Sequence, residues 1–369
     1  MSRSMAERMK AEGGGRKKRA QGRGSSASAF RLPPAFFPPM SRWKNFRHRL
    51  EESGCRLLMW AVPKLSRRAC MRLAHGLGAF AYLVDARGRG VALSNLECVF
   101  GDGYTPAQRR AIARASYQNF VRTMLGLFWM HRAWPADGPH LAQLEGFEAL
   151  RAQLARERRG TVFMCVHQGD WEWASVACGL LGFGNVVVAE NFKNPRLTAI
   201  FRELRQVSGQ TIIAQENSIL RMLRTVKRGG ATGMLIDLNL RPSQAATVIE
   251  GFGLKMCVPL IHAVLAQRAN ALLVPVETQP QPDGTCRVIA HPGVAWPEGA
   301  TLQQIAQCCW DAMEPVIRAR PELWLWPYKH FRYRPRDAAR PYPGYANESA
   351  KFEKLLRSAA GGESFDKAR

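Results

Sequence analysis

Acidic residues are scarce in this 369-residue chain: 29 Asp and Glu stand against 53 Lys and Arg, a net charge of +24. So large an imbalance predicts an anionic partner, whether a membrane surface, nucleic acid or an acidic substrate. Also missing is any stretch of eighteen uncharged apolar residues, so a clean transmembrane helix is not supported. The N-terminal residues are charged and hold no uninterrupted apolar run, so no signal peptide is expected. No two of the nine cysteines are spaced as CxxC, and no Cys/His group has zinc-ligand spacing. This excludes the common structural zinc modules and points to reduced thiols in a cytosolic compartment, acting as small core residues. No metal site and no internal repeat is expected.

The basic excess is not confined to one segment. Residues 1–40 carry +7, and the remaining +17 is spread over the rest. That spread is too wide for a single nucleic-acid groove and comes with no nucleic-acid motif, so no specific nucleic-acid partner is expected.

At 46% hydrophobic residues, the chain can bury a substantial core. Residues 1–29, of Gly, Ser, Ala and basic side chains, are expected to be disordered, and 32–40 form a Pro- and Phe-rich linker. Residues 41–135 read as helices, with Thr105 an N-cap before Pro106. Within them, 57–84 hold two short apolar pieces broken by Lys64, Arg67, Arg68 and Arg72. Two readings stand. One is an interfacial hairpin whose arginines meet lipid phosphates while Trp60, Phe80 and Tyr82 enter the acyl boundary; the other is a pair of core helices with a charged turn.

From Gly146 the pattern alternates: strand 161–166, helix 171–181, strand 186–189, helix 195–207, strand 211–214, helix 217–228, strand 232–236. A polar loop is expected next, then helix 259–269, strands 271–278 and 285–290 joined at Asp283-Gly284, and helix 302–319. Repeated strand–helix units predict an α/β domain over 136–340, a mostly parallel sheet flanked by helices. Residues 341–369 are expected to be a flexible tail.

The run TVFMCVHQGDWE (161–172) carries the most chemistry. Its first six residues are apolar and partly β-branched, as fully buried parallel strands are. His167 then falls at the C-terminal tip of a strand, Asp170 is placed to cap the next helix, and Glu172 sits in its first turn. Open α/β sheets place ligands there. Histidine titrates near neutrality and can take a proton from an alcohol; a carboxylate can hold the other ring nitrogen and stabilise the imidazolium. With no serine or cysteine nucleophile beside the pair, direct transfer to a hydroxyl is expected. H-x4-E alone is a weak pattern, and a lone strand-end histidine is more often structural.

HQGDWEW resembles the H-x-G-N-W-E signature of the bacterial lipid A late acyltransferases, within the lysophospholipid acyltransferase superfamily. Further segments are similar in order: SNLECVF (94–100), LEGFEAL (144–150), Asn194-Pro195, Arg205 before Gly209, Asp237 at a strand end, GFG (251–253) and PELWLWPYKHFRYRP (321–335). The resemblance covers roughly residues 55–335. It implies a helical, membrane-associated N-terminal part and a glycerolipid acyltransferase-like α/β core at the cytoplasmic face of the inner membrane. It also implies transfer of a fatty acyl chain from acyl carrier protein, sometimes coenzyme A, to a hydroxyl of a glycolipid, with no further cofactor.

By position, His167 is implied as general base and Glu172 as its support. Asp170, Arg205 and Asp237 are implied near the substrate, and Arg332 and Arg334 near phosphate or phosphopantetheine. The chain departs from the family pattern at Asp170 (usually Asn), at Glu190-Asn191 where a basic residue is usual, in LKMCVPLIH after the GFG turn, and at Tyr328-Lys329-His330. His330 is expected to be structural or phosphate-facing, and His262 a core histidine. The departures bear on acceptor identity, so acylation of another lipid stays a rival. A non-catalytic membrane-surface protein on the same scaffold is the rival from outside enzymology.

Overall fold

A computed structural model of the protein describes residues 42–183, 186–189, 192–214, 218–243 and 245–361. The basic tail and linker expected over 1–40, the Glu190-Asn191 departure and the last eight residues lie outside the described residues.

Four helices come first: α1 (Arg42–Ala61), α2 (Arg67–Val84), α3 (Ala86–Phe100) and α4 (Pro106–Leu141). Thr105 caps α4 in a reciprocal capping box with Gln108, and Pro106 takes the first turn, where its missing N–H costs nothing. The chain continues through β1 (Ala142–Glu145), α5 (Phe147–Glu157), β2 (Thr161–Cys165), α6 (Trp171–Leu180), β3 (Val186–Ala189), α7 (Pro195–Arg205), β4 (Thr211–Ala214), α8 (Ser218–Lys227) and β5 (Ala231–Leu235). Then come β6 (Ala246–Gly251), β7 (Leu254–Pro259), α9 (Ile261–Ala269), β8 (Leu272–Pro280), β9 (Cys286–Ala290), α10 (Leu302–Ala319) and α11 (Ala350–Gly361).

Seven described strands form one sheet in the order β1-β9-β8-β2-β5-β3-β4. The run from β8 to β4 is parallel; β9 turns back antiparallel on β8, and β1 lies parallel to β9. The fold is therefore mixed α/β with a mostly parallel sheet flanked by helices. Successive residues of β2 serve opposite cores: Val162 and Met164 join one buried cluster, Phe163 the other. A strand buried on both faces needs apolar side chains at every position, hence the unbroken run in the sequence.

The structure corrects the expectations in two places. The polar loop after β5 contains an antiparallel hairpin, β6–β7, forming its own small sheet. Residues 350–361, expected to be tail, form α11, because Phe352 is fully buried against Ala246, Val248 and Cys257. The N-terminal helices also pack on the α/β core: α4 contributes Leu127, Phe128 and Met130 to the buried cluster that holds Phe163 and Trp173.

The 57–84 segment is two helices joined by a short turn, with Ser66 accepting a hydrogen bond from the Ala69 N–H at 3.3 Å. Leu57, Trp60, Leu73, Leu77, Phe80, Leu83 and Val84 are exposed, whereas Cys70, Ala74 and Tyr82 are buried. Arg67 does not face outward as its position among the basic residues suggests: its Nε donates to Gly284 O at 3.1 Å, and its guanidinium lies over Trp129. Among the described residues no helix is long and apolar enough to cross a membrane.

Candidate active site

His167 stands two residues past the end of β2, and Asp237 two residues past the end of β5. These strands are neighbours, paired in parallel with Cys165 opposite Leu235. The register therefore carries both residues to the same level at the carboxyl edge of the sheet. His167 Nδ1 lies 2.8 Å from Asp237 Oδ1, the His167 N–H donates to Oδ2 at 2.8 Å, and the Trp324 indole donates to the same oxygen at 2.9 Å. Asp237 is fully buried. Burial opposes its charge, but the His167 ring and backbone N–H outweigh it and hold the carboxyl below its ordinary range. An ionised carboxylate can only accept, so Nδ1 carries the ring proton and Nε2 is left as the basic nitrogen.

The turn after His167 is fixed from several sides. Gly169 has φ +61°, and a Cβ there would come within 2.0 Å of Thr278 O, so no other residue fits. Its N–H donates to Leu323 O at 3.1 Å, and its carbonyl accepts from Asn119 and Thr123 of α4. The Leu325 N–H donates to His167 O at 3.0 Å.

Glu172 does not hold the imidazole. It is buried in the first turn of α6 and forms a two-pronged pair with Arg205, whose Nε and Nη2 lie 3.0 and 2.7 Å from its oxygens. The sequence reading that paired His167 with Glu172 is corrected here: Asp237 takes the imidazole, because strand register outranks proximity in sequence. Asp170 occupies the N-cap position of α6, yet its side chain caps nothing. It is buried, with Arg122, Arg67 and Glu172 as charged neighbours, and burial pushes its carboxyl up to about 7.

His167, Glu172 and Arg205 line one cavity of about 510 Å³ between α6, the sheet and α4. Its other walls are chiefly apolar, among them Phe120, Met124, Phe163, Trp171, Val187 and Leu325. Lys193 also lines it, a basic residue that the sequence reading did not pick out; it follows the second strand of the α/β repeat, three positions past Glu190. Arg332 and Arg334 are not among the lining residues: Arg334 pairs with Glu348 at 2.9 Å on the surface, and the Arg332 carbonyl accepts from the Asn347 N–H. Trp324 and Leu325, neither picked out in the sequence, bring the 321–335 segment to the site, Trp324 through its indole on Asp237 and Leu325 as a cavity wall. Among the described residues no group of three His, Cys, Asp or Glu side chains is placed to hold a metal ion.

His330 is fully buried and stacks on Trp324, with ring centroids 3.8 Å apart; its Nε2 lies 2.9 Å from Leu325 O. His262 is buried on α9, and neither ring nitrogen meets a hydrogen-bond partner among the described residues. Burial pushes both down to about 4. Their unfolded pKa is about 6.5, so the unfolded chain binds more protons in between, and stability falls as pH drops from about 6.5 to 4, by about 3 kcal/mol each. Asp170, raised to about 7, works in the opposite direction over the same window, and the expected net change is about one histidine's worth. Replacing His262→Leu should leave the urea midpoint nearly level between pH 4.5 and 6.5, where the wild-type midpoint rises. An equally steep rise in the variant would show that His262 is not buried in its neutral form.

No individual curated protein matches the chain. A family model of bacterial lipid A biosynthesis acyltransferases does, over residues 54–333. That span runs from α1 through His167, Glu172, Arg205, Asp237 and Trp324, covering well over half of the sequence and the whole of the cavity. With a histidine–aspartate pair at the edge of the sheet and an apolar cavity beside it, the chain belongs to the bacterial lipid A biosynthesis acyltransferase family and is an acyltransferase.

Proposed function

We propose that the protein moves a fatty acyl chain from a thioester of acyl carrier protein to a hydroxyl of a lipid A precursor, with His167 as general base. The observation that carries this reading is the position of His167: held through Nδ1 by a buried aspartate, it lines an otherwise largely apolar cavity. The acyl chain lies in the cavity, shielded from water, with its thioester carbonyl beside the imidazole. Nε2 takes the proton of the acceptor hydroxyl as its oxygen attacks that carbonyl. The C–S bond then breaks, the departing thiolate receives the proton from the imidazolium, and ester and free thiol result. Asp237 stabilises the imidazolium in between. Glu172 and Arg205, with Lys193, provide charge at the cavity wall toward the polar parts of donor and acceptor.

Direct attack is favoured over a covalent enzyme intermediate. Cys165 lines the cavity, but burial pushes its thiol well above the ordinary range, far from the nucleophilic thiolate. The Ser175 hydroxyl is bonded to Gln210.

The reaction is proposed for the cytoplasmic face of the inner membrane. The exposed apolar residues of α1 and α2 beside Lys64, Arg68 and Arg72 support that placement: such a surface sets aromatic and aliphatic groups at the acyl boundary and cations among phosphates.

The test is acyl transfer from a series of acyl carrier protein thioesters to a tetra-acylated lipid A precursor, followed by mass spectrometry. Wild type should add one acyl group. His167→Ala should lower turnover by about 10²–10⁴-fold, the usual contribution of a general base. Full turnover in a folded His167→Ala protein would overturn the mechanism; absence of product from wild type would overturn the donor or the acceptor.

A further inference from the structure

Gly233 is the middle residue of β5, itself an interior strand of the sheet. Glycine there is unfavourable: it has no side chain to pack and loses the most backbone freedom on folding. Elsewhere in the site its use is forced, as at Gly169. At Gly233 it is not. The backbone is outside the left-handed region, and among the described residues a Cβ would meet only Val187 Cγ2, at an ordinary 3.7 Å. Neither conformation nor crowding explains the residue.

What the missing side chain leaves is space in the cavity. Gly233 is paired across the sheet with Phe163 on one side and Val187 on the other, and all three line the cavity. Side chains of paired residues in parallel strands point to the same face, so the glycine makes a notch between two apolar neighbours. The notch lies at the end away from the chemistry. His167 is two residues past the carboxyl end of β2, whereas Phe163, Val187 and Gly233 lie inside their strands. On the facing helix the lining runs from Trp171 and Glu172 to Cys178, two turns further along α6.

We infer that Gly233 sets the longest acyl chain the enzyme accepts. The terminal carbons of a saturated chain, whose carbonyl is beside His167, lie over Gly233 between Phe163 and Val187. Any side chain at 233 occupies the place of those carbons. This rests on the proposed function only in taking the cavity to be the acyl site.

The experiment is to compare wild type with Gly233→Val and Val187→Ala over a series of saturated acyl carrier protein thioesters. In parallel, free fatty acids of rising length are used to displace a fluorescent fatty acid from the same proteins. Valine is a favourable strand residue, so Gly233→Val is expected to fold. Its ratio of kcat/KM for the longest donor used by wild type to that for a shorter one should fall roughly tenfold or more, since single methylenes in a filled apolar pocket discriminate by about that factor. The displacement series should break off at a shorter length. Val187→Ala, which widens the notch, should move both limits toward longer chains and tests the idea even if Gly233→Val does not fold. Unchanged length profiles in folded variants, or a loss uniform over all lengths, would overturn the inference. If wild type transfers nothing but its fatty-acid length limit still moves with residue 233, the proposed reaction falls and the ruler stands. If wild type neither transfers acyl groups nor binds fatty acids, both fall.

Discussion

Asp237→Asn should cost about 10⁴-fold in kcat with little change in KM, the size of effect seen where an orienting aspartate behind a histidine base is replaced. The reason lies in which atoms Asp237 touches. Its Oδ2 accepts from the His167 N–H and the Trp324 indole, and its Oδ1 meets His167 Nδ1. An asparagine can keep its single oxygen on the first two donors. Its amide nitrogen then faces Nδ1, and two donors cannot share that contact. The imidazole must turn Nδ1 into an acceptor and move its proton to Nε2, the nitrogen that has to be empty to take a proton from the acceptor alcohol. Shape is conserved and the base is lost. Steady-state kinetics of the folded variant, with its melting temperature as control, check this. A loss of less than tenfold would mean that Asp237 does not set the tautomer. Asp237→Ala should do worse on stability, because it strips the buried acceptor from three donors at once, the His167 N–H, the His167 Nδ1–H and the Trp324 indole.

How much of this site the sequence disclosed follows from what is local in it. β2 and β5 are apolar runs bounded by glycine or polar residues, so both strands and the two side chains beyond their ends could be located. Their adjacency could not be. β5 follows β2 by two intervening strands, yet it lies directly beside β2 in the sheet, and only that non-local order brings Asp237 to His167. Reading along the chain made Glu172 the partner because it is five residues away. The β6–β7 hairpin escaped for a different reason. Its turn has positive φ at both Phe252 and Gly253, a shape normally signalled by Asn-Gly, and phenylalanine is a poor choice for it. Tertiary packing overrides the local preference: the Phe252 ring is buried against Trp310, Trp324 and Trp326, and Arg340 donates to its carbonyl at 2.6 Å. α11 was obscured by its polar composition, since one residue, Phe352, is its fully buried anchor. Arg332 and Arg334 show the converse error. A basic pair in a closing motif reads as a phosphate site, while the tryptophan eight residues before the first of them meets the aspartate that holds His167.

Glu172→Ala should lower stability by about 3–5 kcal/mol, as removing one member of a buried ion pair does when it leaves the other charge uncompensated. Glu172 is buried, and Arg205 binds it through two nitrogens. The pair ties the first turn of α6 to the last turn of α7, so its loss loosens two walls of the cavity together. The double variant Glu172→Ala/Arg205→Ala should recover part of the loss, because no orphaned guanidinium remains, and a double-mutant cycle on urea midpoints measures how much. Kinetics separate this role from that of Asp237. If Glu172 acts through Arg205 and the shape of the cavity, Glu172→Gln should raise KM for the thioester and leave the pH dependence of kcat where it was. If Glu172 supports the imidazole directly, as its place in the HQGDWE run implied, the same variant should shift that pH dependence along with kcat. The two variants thus separate the proposed duties of two carboxylates, Asp237 at the imidazole Nδ1 and Glu172 at the Arg205 guanidinium of the cavity wall.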